Sequence, residues 1–268
     1  MSAEAATSLR RGLAVLAALA GDEAVRSGGL GVTRIATLIG REKSQVSRTL
    51  KILAEDGVVD RDPRTLAYRL SWRFLTLAAQ AGDRRLLQQG PSVLRAVVAE
   101  LGETAHLSVL HGAQVLTVLS ESPGHAVEAA GWVGRTVPAY CTASGRALLF
   151  DHARDDLDAL FADVEFRRMG PKTARDLAEL RVRVAAGRAR GYAAVDEELE
   201  PGLVAVAAPV RDVHGTILAA LNVSAPKFRF GRRLSAAGKT VKAAADDLSA
   251  TLGWAPEVAA AEPVPWSS

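Results

Sequence analysis

Residues 32–53 read Val-Thr-Arg-Ile-Ala-Thr-Leu-Ile-Gly-Arg-Glu-Lys-Ser-Gln-Val-Ser-Arg-Thr-Leu-Lys-Ile-Leu. Residues 54–62 follow as Ala-Glu-Asp-Gly-Val-Val-Asp-Arg-Asp, and residues 67–70 close the stretch on Ala-Tyr-Arg-Leu. A short helix, a tight turn at Gly40, a second helix with a polar face and a small hairpin succeed one another. This is the order of a winged helix-turn-helix, a unit whose common task is to lay its second helix in the major groove of DNA.

The second helix carries that expectation. Val46, Leu50 and Leu53 recur at i, i+4 and i+7 and share one face, which suits packing on Ile35, Leu38 and Ile39. Ser44, Arg48, Lys51 and Glu55 run along another face, with Gln45 and Ser47 beside it near the start. Gln and Arg are the side chains that pair two-pronged with adenine and guanine. Lys43 and Lys51 suit phosphates, which position a protein without reading sequence. Gly57 supplies the left-handed residue expected just past a helix. Val58–Asp60 and Ala67–Leu70 then read as two strands of a wing around the turn Asp62–Thr65, with Arg61, Arg64 and Arg69 along it. The competing reading is a small helical domain with a charged, solvated face.

Working outward, 268 residues at 49% apolar and 24% charged is an ordinary globular composition with room for two domains. The net charge of +3 is uneven. Residues 1–80 hold 12 Lys+Arg against 8 Asp+Glu, whereas residues 81–268 hold 21 against 22. The positive end is the one that carries the helix-turn-helix. Cys141 is the only cysteine, which forbids an internal disulfide and fits a reducing compartment, so a cytoplasmic location is expected. No apolar run is long enough to span a membrane. Ser8–Gly12 followed by Leu13–Ala20 resembles a secretory signal, even a twin-arginine one. The favoured alternative is an amphipathic first helix with Leu9, Leu13, Leu16 and Ala20 on one stripe.

Beyond the wing, Trp72–Leu87 reads as a helix, Gly90-Pro91 as a break, and Ser92–Leu101 as another helix. This connector is expected to carry dimer contacts, since one winged helix reads few base pairs. From Glu103 the period changes. Ala105–Leu110 and Val115–Leu119 read as a hairpin around His111–Gln114, and Val127–Ala130 as a third strand. Ala143–Phe150, Asp155–Phe161, Thr173–Arg190 and Leu234–Leu252 read as helices, and Leu203–Val210 with Thr216–Ser224 as paired central strands. The fold class expected is α+β: a winged helix-turn-helix at 1–71, a linker helix at 72–90, an antiparallel sheet with flanking helices at 91–254, and a disordered Ala/Pro/Glu-rich tail at 255–268.

This order resembles the IclR-type bacterial transcription regulators over about Thr7 to Leu252. The helix-turn-helix through Tyr68-Arg69-Leu70 carries part of it. Cys141-Thr142-Ala143-Ser144-Gly145-Arg146-Ala147 is similar to the family's small-residue segment ending Gly-Lys-Ala. Asp196-Glu197-Glu198, Gly202, Ala207–Val210 and Ala220–Pro226 carry the rest. The resemblance implies a GAF-like effector domain for small organic acids or aromatic metabolites, with a pocket on Ala143, Ser144, Val195 or Asp196, Ala205, Asn222 and Ser224. Trp132 and Tyr140 are expected to close it. The chain departs from the family at Arg146 (usually Lys), Ala225 (usually Gly), Val195 (an acid in some members) and Ala205 (a cysteine in some). The last two remove a polar contact on that side of the pocket and point to a bulkier or more apolar ligand than a two- or three-carbon keto acid. Physical chemistry adds that Ala143-Ser144-Gly145 opens a helix, where free amides suit a carboxylate. Asn222 and Ser224 share one side of a strand, and buried they need partners.

The functional expectation is therefore a homodimeric or tetrameric regulator, repressor or activator, on a pseudo-palindromic operator, controlled by a small molecule. No catalytic residue, metal, cofactor or membrane partner is expected. Cys141 reads as a buried small residue, and the five histidines, which lack metal-ligand spacing, as surface or turn residues. Asp196–Glu198 reads as organising a loop. Two rivals stay open: a metabolite sensor acting through a protein partner, and a hydrolase using Cys141, a histidine and Glu198.

Overall fold

The computed structural model describes residues 3–78, 83–123 and 132–255, in two compact units, Met1–Arg84 and Arg85–Ser268. The first unit contains α1 (Ala3–Ala20), α2 (Asp22–Ser27), α3 (Val32–Ile39), α4 (Lys43–Glu55), β1 (Val59–Arg61), β2 (Tyr68–Leu70) and α5 (Trp72–Ala78). Val15 and Leu19 of α1, Ile35 of α3, Val46 and Leu50 of α4, Val59 and Tyr68 build its core. Gly57, at φ 69°, ends α4 by a paired arrangement in which its N–H bonds the Ala54 carbonyl and Val58 N–H bonds that of Leu53. Strands β1 and β2 pair antiparallel with Asp60 opposite Arg69. Leu30 bridges to Tyr68 and extends this small sheet.

Two expectations fail in this unit. The stripe proposed for α1 faces outward at Leu9 and Leu13, because Val15 and Leu19, one residue round the helix, meet the core instead. Leu38, expected against α4, is also exposed, and Ile35 and Ile39 take the contact.

The second unit runs α6 (Arg84–Leu101), β3 (Thr104–His111), β4 (Gln114–Glu121), β5 (Thr136–Pro138), a 3₁₀ turn (Ala139–Cys141), α7 (Ala143–Leu148), α8 (Arg154–Phe161), α9 (Leu177–Arg190), β6 (Ala193–Asp196), β7 (Leu203–Arg211), β8 (Ile217–Pro226), α10 (Lys227–Phe230), a second 3₁₀ turn (Gly231–Arg233) and α11 (Leu234–Thr251). The strands form one six-stranded sheet in the order β5-β4-β3-β8-β7-β6, antiparallel at every pairing. Strand alternation sorts the side chains. Ala105, Leu107, Val204, Val206, Leu221 and Val223 face α6 and α11 in one core. Val115, Val195, Ala205, Ala207 and Ala220 face α7, α8 and α9 in the other.

The expected helices Trp72–Leu87 and Ser92–Leu101 divide elsewhere: Asp83 lies outside any helix, and the Gly90-Pro91 break does not occur, because α6 is continuous through Pro91. A proline inside a helix costs about 3 kcal/mol or more. Leu86, Leu94, Val97, Val98 and Leu101 are all buried against the sheet, and that burial outweighs it. Gly90 serves contact rather than breakage, since a Cβ there would lie 2.7 Å from Leu107 Cδ1 and from Leu119 Cδ1. Thr173 lies outside α9, which starts only after the N-cap Asp176. The short elements α2, β5 and β6 carry no pattern long enough to read. The strand expected at Val127–Ala130 and the tail from 256 onward lie outside the described residues. Among the described residues no helix is long and apolar enough to cross a membrane.

Candidate functional site

The fold presents two surfaces of interest, one in each unit. On α4, burial of Val46 and Leu50 turns the opposite side outward, so Lys43, Ser44, Ser47, Arg48 and Lys51 are exposed and Gln45 is half-buried. Lys51 makes a loose i,i+4 contact with Glu55, 3.8 Å. In the wing, Arg61, Arg64 and Arg69 are exposed. The Asp62 carboxylate shapes the turn between the strands by accepting the amides of Arg64 (2.7 Å) and Thr65 (2.9 Å). Those bonds favour its charged form and hold its pKa below the ordinary value. Arg61 lies over the Tyr68 ring, 5.5 Å from its centroid. Arg34 forks onto Glu23 at 2.7 Å for both contacts and ties α3 to α2.

In the second unit a cavity of about 450 Å³ lies over the sheet. Its floor is the face that alternation leaves polar: Thr104, His106 and Ser108 of β3, Thr117 of β4, Asn222 and Ser224 of β8, with Val195 and Ala205 beside them. Register brings these together, His106 opposite Asn222 and Ala205 opposite Ser224. Cys141, Thr142, Ala143 and Ser144 form the facing wall, and Glu103, Trp132, Leu199, Glu200 and Arg229 are among the remaining lining residues. The small-residue segment has a steric cause. A Cβ on Gly145 would lie 2.2 Å from the Ala139 carbonyl oxygen, so only glycine lets α7 sit this close. Thr142 caps the helix by accepting Gly145 N–H at 3.1 Å.

Of the residues expected at the pocket, Trp132, Ala143, Ser144, Val195, Ala205, Asn222 and Ser224 line the cavity, and Tyr140 and Asp196 do not. Tyr140 packs against Phe166, with ring centroids 4.6 Å apart, and its hydroxyl donates to the Arg167 carbonyl at 3.0 Å. Asp196 follows Val195 on β6, so alternation turns it away. It pairs with Lys172 and, at 2.8 Å, with Lys227.

His106 is the principal residue missed. It is 5% exposed, far from the surface or turn position expected of it. Burial pushes its pKa down to about 4, so the ring is neutral near pH 7. Its Nε2 lies 3.4 Å from Ser224 Oγ, and Nδ1 has no hydrogen-bond partner among the described residues. The Trp132 ring stands 5.7 Å away at 53°. The signal was available: His106 and Ser108 interrupt an apolar run every second residue, as Asn222 and Ser224 do. Glu103 and Arg229 were also missed. They meet in a two-pronged pair of 2.5 and 2.7 Å at the cavity, 126 residues apart in the chain.

The hydrolase arrangement is not assembled. Burial, with Glu198 nearby, pushes the Cys141 thiol up to about 12, so it stays protonated and weakly nucleophilic. Glu198 is engaged by Arg146 and, at 2.5 Å, by Arg183. Glu197 accepts Gly202 N–H at 3.0 Å and Lys227 Nζ at 2.5 Å. The acidic triplet thus organises its loop. Among the described residues no three His, Cys, Asp or Glu side chains group to hold a metal.

Comparison with known proteins agrees with both units. The IclR helix-turn-helix domain matches residues 8–63, and the bacterial transcriptional regulator IclR C-terminal domain matches residues 80–250. The HTH-type transcriptional regulator BhcR of Paracoccus denitrificans is 34% identical over 239 residues, 88% of this chain and 85% of its own. Among solved structures, an IclR transcriptional regulator from Alicyclobacillus acidocaldarius superposes with TM-score 0.71 at 27% identity, covering 92% of this chain and 99% of its own. An IclR homolog from Microbacterium hydrocarbonoxydans, complexed with 4-hydroxybenzoate, superposes with TM-score 0.74 at 23% identity over 91% of this chain and 98% of its own, which shows a shared fold.

Proposed function

This chain belongs to the IclR family of bacterial transcriptional regulators, and on that premise we propose that it is a DNA-binding regulator controlled by a carboxylic or aromatic metabolite held in the cavity of the second unit. Residues 1–71 serve as the reading head, 72–90 as the connector, and 91–254 as an effector domain of GAF-like type. Ser44, Gln45, Ser47 and Arg48 reach base edges, while Lys43, Lys51, Arg61, Arg64 and Arg69 hold phosphates or the minor groove. A dimer would set two such heads on a pseudo-palindromic operator. The ligand acts only as far as it binds one arrangement of the heads better than another.

The observation that carries the effector reading is the polar floor. His106, Asn222 and Ser224 are buried or half-buried on a sheet face that elsewhere packs apolar side chains. Buried polar groups require partners, and a ligand in the cavity can supply them. The volume, about 450 Å³, falls among ordinary small-molecule sites and leaves a three-carbon keto acid loosely held. Val195 and Ala205 on the same wall favour an apolar body.

The test has two stages. Purified protein selects from fragmented genomic DNA at physiological salt, and enrichment of one pseudo-palindromic site is expected. Salt-insensitive retention of a protein instead would favour the sensor reading, because phosphate contacts release counterions. Calorimetric titration with glyoxylate, pyruvate and aromatic acids then tests the ligand class. Tight pyruvate binding with no aromatic binding sinks the assignment of a bulkier, more apolar effector.

A further inference from the structure

The charges around the cavity do not balance a bound acid. Two carboxylates, Glu103 and Glu200, and one guanidinium, Arg229, line it. Arg229 is already committed two-pronged to Glu103. Behind the α7 wall, Arg146 is committed to Glu198. Arg135 lies over the Trp132 ring, 5.6 Å from its centroid, and is itself exposed. Cys141 keeps its proton. The floor neighbours of His106 from β4 and β8 (Ser120, Thr117, Asn222 and Ser224) are uncharged. An anion entering this space thus meets the exposed Glu200 carboxylate at its edge and no uncommitted cationic side chain among the described lining residues. Placing an unpaired charge in such a site is strongly unfavourable.

One lining group can change that. His106 sits mid-strand between Ser120 of β4 and Asn222 of β8. Its Nε2 faces Ser224 Oγ, and Nδ1 is buried without a hydrogen-bond partner among the described residues, so the ring lines the cavity with its hydrogen-bonding capacity only partly used. We propose that the cavity takes its acid together with one proton, the effector carboxylate docking against the His106 ring beside Ser224 as the imidazole becomes an imidazolium. This rests on the acid-effector reading above and names the residue that makes an acid acceptable there. The proton comes from solvent, so carboxylate, proton and neutral ring combine into a neutral ion pair. The net charge of the cavity is unchanged by binding. In the empty cavity burial keeps the ring neutral. The bound carboxylate at hydrogen-bond distance favours the charged form. Affinity then falls as pH rises, because free protein has released the proton that the complex retains.

The experiment is calorimetry on the full chain at pH 6, 7 and 8, with benzoate, 4-hydroxybenzoate, phenylacetate and pyruvate as probes, each an anion over that range. Buffers of differing ionisation enthalpy report the protons exchanged. The expected result for the strongest binder is an association constant that drops about tenfold per pH unit, with uptake of one proton per site. In His106→Asn, which keeps a hydrogen-bonding group but cannot titrate, the slope flattens. Wild-type binding that is independent of pH, without proton uptake, overturns the proposal and leaves the acid reading standing. A slope that survives in His106→Asn overturns it in favour of another proton acceptor. Binding of none of the acids at millimolar concentration overturns the acid reading and this proposal with it. The wild-type measurement decides even where the variant does not fold.

Discussion

Helix α4 in the first unit and strands β3 and β8 in the second are both two-faced, but they place their polar faces differently. In α4, Val46 and Leu50 are fully buried while Arg48 and Lys51 stand in solvent. In the strands, Leu107, Leu221 and Val223 are fully buried on one side, yet His106 and Asn222 on the other are buried as well. A solvated polar face costs folding almost nothing and is free to meet a partner. A buried polar face must be satisfied inside the molecule or by what enters it. The contact surface proposed for the first unit therefore lies outside, and that proposed for the second lies within the core.

The sharpest way to break this comparison is to cut the two faces of one strand. Leu221→Ala removes a fully buried side chain from the core shared by α6, α11 and the sheet. It should destabilise the second unit by about 2–5 kcal/mol, read as a lower urea midpoint. The adjacent Asn222→Ala should cost less stability, and the affinity of the cavity for the proposed acid should fall instead. Equal losses of stability with unchanged ligand affinity would show that both faces are merely core.

The next effect is a pH dependence carried by the buried floor. Burial in the folded state lowers the His106 pKa from 6.5 to about 4, so folding disfavours the charged ring. The unfolded chain binds the proton more readily. Stability is therefore full above about pH 6.5 and is lost as pH falls toward 4. Between pH 7 and pH 5 this amounts to about 2 kcal/mol. Urea unfolding at the two pH values should show the loss in wild type and a smaller one in His106→Asn. An identical loss in both would assign the acid sensitivity elsewhere.

How much of this was legible follows from the same contrast. The face of α4 and the end of the helix at Gly57 could be read because solvent separates polar from apolar residues at a helical period. The alternation of Asn222 and Ser224 was legible for the same reason, and it placed them on the cavity. The identical alternation at His106 and Ser108 went unread, because a histidine in a short apolar run has several ordinary explanations until β8 is set beside it. The pairing of Glu103 with Arg229 has no local signal at all, since only the sheet and α10 bring those residues together. Pro91 misled because a local penalty was read without the burial that outweighs it. In α1 two overlapping apolar stripes competed, and packing chose the one through Val15 and Leu19.

The smallest structural effect belongs to the outward face. Arg48 is exposed, so Arg48→Ala should leave unfolding within about 0.5 kcal/mol of wild type. Its cost should appear only on DNA. If Arg48 reads a base, affinity for the selected operator falls by about 1–3 kcal/mol while affinity for random duplex changes little. If it meets a phosphate, both fall together and the salt slope shrinks by about one. Gel-shift titration on the two duplexes at three salt concentrations separates these outcomes. A stability loss comparable to that of Leu221→Ala would contradict the division of α4 into a packing face and a free one.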